Sequence, residues 1–230
     1  MKKLSSIIQE GPVQSFSKYI NLLDVPTKKM NDRALSLEHY YGYSKEHEDT
    51  IAHYTNEGYL NLNHKLFLHH NEPHYVLHKD EQPFGQGEMG KLRENMDEIT
   101  TTHKTPHALD VYSGIKKHFT PKKGDVYHHP GFMSTSLNRN TANNFKLQQG
   151  MYNDKTERYD EHEHILHIRL PKGHPGAYVD HYSSNHGEKE FILPRGMNLK
   201  HIHTHTYMRP SKPDKGEHYI HIHHMEPVTD

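Results

Sequence analysis

The chain has 230 residues, enough for one large domain or two small ones around a buried core. Lys and Arg total 28 against 29 Asp and Glu, so no excess of charge points to nucleic acid or to an anionic membrane surface. Cysteine is absent, which excludes disulfides, thiolate zinc sites and a cysteine nucleophile together, while 15 Tyr and 9 Met offset a hydrophobic fraction of only 32% and predict a folded protein with a thin, aromatic-rich core.

The first residues, MKKLSSIIQEG, carry two lysines, but Ser5, Ser6 and Gln9 interrupt an apolar stretch too short for a signal-peptide core. No run approaches membrane-spanning length. The expectation is a soluble, monomeric protein working in a cytoplasm. Residues 47–68, HEDTIAHYTNEGYLNLNHKLFL, return apolar Ile51, Tyr54, Leu62 and Leu66 at roughly three- and four-residue steps behind a capping Asp49 or Thr50, which predicts a helix with one buried face. Residues 71–90, rich in Pro and Gly, read as a loop crossing, and a second short helix follows through Asp97 and Ile99.

From about Ala108 the pattern becomes one of short β-type runs: LDVYSGI, GFMSTSL, HILHIRL, GAYVDHY, EFIL, LKHIHTHTYM and HYIHIHHMEPV, nearly all bounded by turn residues. Between two of these runs, the polar segment 146–164, KLQQGMYNDKTERYDEHEH, reads as a mobile surface loop. Helices followed by strands predict an α+β domain over residues 1–230, helical to about residue 105, with a sheet that closes on itself or packs in two layers.

The stretch GEKEFILPRG, residues 187–196, raises the sharpest chemical question. In an extended strand Glu188 and Glu190 project from the same face, placing two negative charges side by side. Two readings are open: a solvated strand entrance, where the repulsion costs a few tenths of a kcal/mol, and a paired-carboxylate active site.

Three stretches in order, LDVYSGI, GFMSTSLNRNTANNF and GAYVDHYSSNHGEKEFILPRG, resemble the mono-ADP-ribosyltransferases of the Arg/Ser-Thr-Ser/Glu-x-Glu type. The resemblance covers roughly residues 50–227. It implies two packed, mainly antiparallel β-sheets with NAD as substrate in the cleft between them, and transfer of ADP-ribose to an arginine of a target protein, in a bacterial host if the enzyme is phage- or toxin-derived. It implies no membrane or nucleic-acid partner. By resemblance Glu190 is the catalytic carboxylate beside the ribose, where an oxocarbenium-like centre develops. Glu188 orients the acceptor guanidinium, and the loop 182–187 presents it. Ser134 hydrogen-bonds Glu190, Thr135 and Ser136 support the cofactor floor, Tyr112 and Gly114 belong to the NAD-binding strand end, and Phe145 packs against nicotinamide. At Ser113 most relatives carry an arginine that clamps the NAD phosphates, and a serine supplies no charged bidentate contact. Arg139 and Arg93 are the candidate substitutes. The departure keeps open a phage-type variant, in the manner of the Alt and Mod enzymes of T-even bacteriophages, and an NAD-binding pseudoenzyme.

Histidine is abundant, at 26 residues. KHIHTHTYM sets His201, His203 and His205 on one face of a strand, and YIHIHHMEP sets His221 and His223 similarly, so a hairpin would gather imidazoles able to hold zinc or nickel. Histidines are also scattered along the whole chain without fixed ligand spacing, and no residue is assigned to a metal. A histidine-rich metal-binding protein stays as a rival reading.

Overall fold

The computed structural model describes residues 14–15, 27–71, 87–115, 119–144, 149–154, 157–209 and 216–228. A short strand β1 (Gln14–Ser15) precedes helix α1 (Thr27–Tyr40), and then α2 (Lys45–His53) runs through a π-helical turn (Tyr54–Gly58) into α3 (Tyr59–Asn71). The helix expected over residues 47–68 therefore exists, with a widened turn at its middle. Ser44 caps α2 by accepting from the His47 N–H at 3.2 Å, rather than the Asp49 or Thr50 expected. Helix α4 (Glu88–Thr102) completes this part. Most of the expected 71–90 loop lies outside the described residues. No described helix is long and apolar enough to cross a membrane.

The strands are β2 (Leu109–Ile115), β3 (Val126–His129), β4 (Met133–Ser136), β5 (Gln149–Asn153), β6 (Arg158–Leu170), β7 (Ala177–Tyr178), β8 (Glu190–Leu193), β9 (Met197–Arg209) and β10 (His218–Pro227), with helix α5 (Arg139–Asn144) after β4. They form one connected sheet in the order β1-β9-β10-β6-β2-β4-β8-β7, with β3 on β9 and β5 on β6. Pairing is antiparallel except for β1 with β9 and β10 with β6. The α+β class stands, but the two separate sheets expected are joined. The join is narrow: β2 meets β6 along its full length, whereas it shares only the pair Tyr112↔Ser136 with β4.

The segment 146–164, expected as a loop, instead contributes an antiparallel hairpin, with Gln149 opposite His162 and Asn153 opposite Arg158. Its polar residues misled the reading because β6 satisfies them by pairing, as when Asp160 accepts from the Asn153 amide at 2.7 Å and the Glu217 N–H at 2.8 Å.

The run EFIL is buried at every position because β8 is covered on both faces. Phe191 and Leu193 pack with Leu37 and Tyr41 of the α1 region and with Val111 and Ile168, while Ile192 packs with Ile51, Tyr54, Leu62, Met96 and Phe132. The helical part docks on the sheet through Asn63. Its side chain accepts from the Phe132 N–H at 2.9 Å and donates to the Phe132 carbonyl at 3.0 Å and the Tyr54 hydroxyl at 3.2 Å. A Cβ on Gly131 would lie 2.5 Å from Asn63 Oδ1, so the approach needs glycine there.

Asn63→Ala leaves a backbone N–H and C=O of Phe132 unpaired where β4 begins, and is expected to cost about 2–4 kcal/mol in denaturant unfolding. Gly131→Ala is expected to shift stability in the same direction by forcing the amide away.

Candidate active site

Glu190 opens β8 opposite Ser136, with Ser134 opposite Ile192, so the two serine side chains and the carboxyl share one face. The carboxyl is buried, at 7% exposure. Burial pushes its pKa up to about 7, the hydroxyls of Ser134 and Ser183 pull it back as hydrogen-bond partners, and the charges of Glu188 and Asp180 raise it. Ser183 donates to Glu190 Oε2 at 3.2 Å. Ser134 also interacts with the Tyr54 hydroxyl, and burial raises that phenol's pKa far above its ordinary range.

Glu188 does not continue the strand, contrary to the geometry expected from the spacing. Lys189 has φ 53°, a left-handed conformation that turns the chain between the two glutamates. Its N–H is held by Asp180 Oδ1 at 2.7 Å, and its carbonyl accepts from the Leu137 N–H at 3.0 Å. Asp180 Oδ1 also accepts from Gly187 at 3.1 Å, where φ is 90°. Both glutamates nevertheless line one cleft. Glu188 is the more exposed of the pair, and its pKa is raised by partial burial and by Asp180.

The Ser-Thr-Ser hydroxyls divide their tasks. Ser134 faces the cleft, Thr135 donates to the Phe191 carbonyl at 2.5 Å, and Ser136 donates to the Glu188 carbonyl while accepting from the Asn138 N–H at 2.8 Å. Thr135 and Ser136 thus bind β4 to β8 and to the turn carrying Glu188. Ser113 donates to the Ser134 carbonyl at 3.1 Å, reinforcing the narrow join between β2 and β4.

The cleft, about 560 Å³, is a size that small-molecule sites commonly have. Its walls include Tyr112, Ser113 and Gly114 of β2, Ser134 to Ser136 of β4, and Tyr54, Tyr59 and Asn63 of the helical part. Phe145 lies outside the described residues. Of the two candidate cations, Arg139 at the start of α5 places its guanidinium 5.3 Å from the centre of the ring of Tyr112, a residue that lines the cleft, although Arg139 itself does not line it. Arg93 on α4 pairs with Glu94 at 3.3 Å and does not line the cleft.

Tyr54, Asn63 and Asp180 carry no site role from sequence alone, and Ser183 enters there only as part of the acceptor-presenting loop 182–187. Tyr54 and Asn63 looked like residues of an ordinary amphipathic helix, and the signal available was the polar triad Tyr182, Ser183 and Ser184 just ahead of the glutamates. The end of α2 and the π-helical turn bind that loop: Thr55 Oγ1 accepts from the Ser184 N–H at 2.9 Å, and the carbonyls of Ala52 and Thr55 accept from Ser184 Oγ at 2.9 Å and the Asn185 amide at 3.1 Å.

A family model described as ADP-ribosyltransferase exoenzyme matches residues 26–225. A curated relative, the NAD(+)--arginine ADP-ribosyltransferase EFV of Enterococcus faecalis, is 26% identical over 161 residues, 69% of this chain; the chain spans 28% of that relative's length. Plx2a, an ADP-ribosyltransferase toxin from Paenibacillus larvae, superposes with a TM-score of 0.54 at 15% identity, over 90% of this chain and 96% of its own. The ADP-ribosyltransferase Vis, solved in complex with agmatine, does so with a TM-score of 0.56 at 14% identity, over 95% and 88%. These structures share the fold, and with the family model spanning residues 26–225 the chain belongs to the ADP-ribosyltransferase exoenzyme family.

Proposed function

We propose that the protein is a mono-ADP-ribosyltransferase that moves ADP-ribose from NAD to an arginine of a target protein and releases nicotinamide. The observation that carries this reading is the buried Glu190 carboxyl, held by Ser134 and Ser183, with Glu188 beside it in the same cleft. The bond between nicotinamide and ribose C1′ breaks, its electron pair leaves with the nicotinamide ring, and Glu190 stabilises the positive charge that grows on the sugar. An arginine nitrogen attacks C1′ and loses a proton to Glu188. The E. faecalis relative carries this activity in its name, and agmatine, seen with Vis, is a guanidinium compound. With Ser113 engaged by the Ser134 carbonyl, Arg139 is the cation we assign to the NAD phosphates. The same chemistry fits action on host proteins in a cytoplasm.

Glu190→Gln is expected to slow both transfer and NAD hydrolysis by roughly two to three orders of magnitude. In the wild type, kcat/KM is expected to rise with pH through about 7 as the carboxyl ionises. Stability moves the other way. Because the folded pKa lies above the ordinary 4.5, the folded state holds a proton that the unfolded chain has lost between those values, and stability falls as pH rises through that window. At pH 8 the Gln variant is therefore expected to be more stable than wild type by about 1–3 kcal/mol, read by thermal unfolding. An active, unshifted variant would remove Glu190 from the site.

Glu188→Ala is expected to suppress labelling of protein arginine about 100-fold or more while nicotinamide release without target survives within about tenfold. Equal loss of the two activities, measured on one preparation, would end the division of labour between the glutamates. Arg139→Ala is expected to weaken NAD binding by about 1.5–3 kcal/mol, roughly 10- to 150-fold in Kd by calorimetry. Unchanged binding would mean that the phosphates lie elsewhere.

A further inference from the structure

The histidines of β6, β9 and β10 fall into two sets on opposite faces of the sheet. The sequence alternation assigned His201, His203 and His205 to one face, and this is corrected by a bulge: His224 pairs with His203, but Met225 pairs with His201, so Ile202 is skipped. His201 consequently joins His221 and His223 on one face, whereas His203 and His205 join His224 on the other.

The first set bonds largely within itself and to two threonines. His162 Nδ1 meets His221 Nε2 at 2.9 Å, and Thr206 Oγ1 meets His221 Nδ1 at 3.0 Å. His164 Nδ1 meets His223 Nε2 at 3.0 Å, and Thr204 Oγ1 bridges His223 Nδ1 at 2.9 Å and His201 Nε2 at 2.8 Å. These rings are buried and their hydrogen bonds run along the sheet, which is a core role.

The second set is built differently. His203, His205 and His224 each offer one ring nitrogen within 4.8 Å of the others, and His203 is exposed, so the group can be reached from solvent. Three nitrogens bound at about 2.0–2.1 Å to a tetrahedral ion lie roughly 3.3 Å apart, a contraction that small side-chain rotations supply. Behind them stands an orienting chain. Asp110 Oδ1 lies 3.0 Å from His167 Nε2, and His167 Nδ1 lies 3.0 Å from His224 Nδ1. The hydrogen bond to His167 lowers the Asp110 pKa, so this carboxylate only accepts. His167 then carries its proton on Nε2 and accepts at Nδ1 from the Nδ1–H of His224, which leaves the His224 lone pair on Nε2 for a cation. Partners that accept from a ligating imidazole's second N–H orient it and tune protein metal sites, and here His167, held by Asp110, takes that place behind His224.

We propose that His203, His205 and His224 form a binding site for a divalent transition-metal ion, with His167 and Asp110 as positioning residues. All-imidazole donors suit zinc, copper or nickel and disfavour calcium or magnesium. The site lies outside the reaction, but His167 stacks on Tyr112 with ring centres 4.9 Å apart, so a bound ion braces the strand that forms the cleft wall.

The test titrates Zn²⁺ into chelator-treated, buffer-exchanged full-length protein by calorimetry, with thermal unfolding and circular dichroism in parallel. Wild type is expected to hold one zinc ion more tightly than any others and to melt higher when it is bound. His203→Ala, at an exposed position that tolerates truncation, and His224→Ala are each expected to weaken that ion at least about tenfold, whereas His64→Ala on the surface of α3 leaves it unchanged. Asp110→Asn, which keeps the shape but not the charge, is expected to weaken it about 10- to 100-fold. No saturable tight ion in wild type, or equal affinity in wild type and His203→Ala, would overturn the site. Equal affinity in Asp110→Asn would overturn the orienting chain.

Discussion

Burying the Glu190 carboxyl is costly, since a carboxylate withdrawn from water loses solvation that only hydrogen bonds and counter-charge restore. Much of the local architecture follows from that constraint. Ser134 and Ser183 supply hydroxyls from two separate segments. Ser183 is held in place by the fold-back of residues 179–190, which Asp180 organises by accepting from Gly187 and Lys189. That same fold-back forces Lys189 into a left-handed conformation and swings Glu188 out of the strand. One glutamate is thereby buried and the other sits at the rim. Their environments differ although they stand one residue apart, which is how two identical side chains acquire separate tasks.

The cleft exists because the sheet is nearly divided. β2 spends its length on β6 and gives β4 a single register pair, so the strands diverge beside Tyr112 and Ser136, and residues of both line the opening. A join this narrow needs reinforcement. Ser113 adds a hydrogen bond to the Ser134 carbonyl, and the helical part closes the far wall through the Asn63 clamp on Phe132. The serine at position 113 therefore has a structural use in this chain, and the candidate cation Arg139, beside the Tyr112 ring, comes from the helix after β4 instead.

The histidine-rich strands illustrate how one skipped residue changes chemistry. Along β9 an unbroken alternation would place His201, His203 and His205 together; the bulge sends His201 to the threonine-bridged interior and leaves the others beside His224. One face becomes a buried, hydrogen-bonded part of the core, and the other becomes a group of nitrogen donors at the edge of solvent.

Periodicity and turn residues in the sequence were enough to determine the α+β class, the span of β2, the buried run of β8 and the order of the three motif-bearing stretches, because each depends on local spacing that the chain carries with it. The resemblance carried by those motifs implies that Glu188, Glu190 and Ser134 share one site, and the cleft holds all three. Only the tertiary structure decided the rest. The hairpin formed by residues 149–153 and 158–162 is polar and reads as a loop until its partners satisfy it. Tyr54 and Asn63 reach the site from a segment far along the chain from β4 and β8, and the single-pair join of β2 to β4 depends on how strands meet. The partition of the histidines turns on one bulge. These features are set by register and by long-range hydrogen bonds, which no window of neighbouring residues encodes.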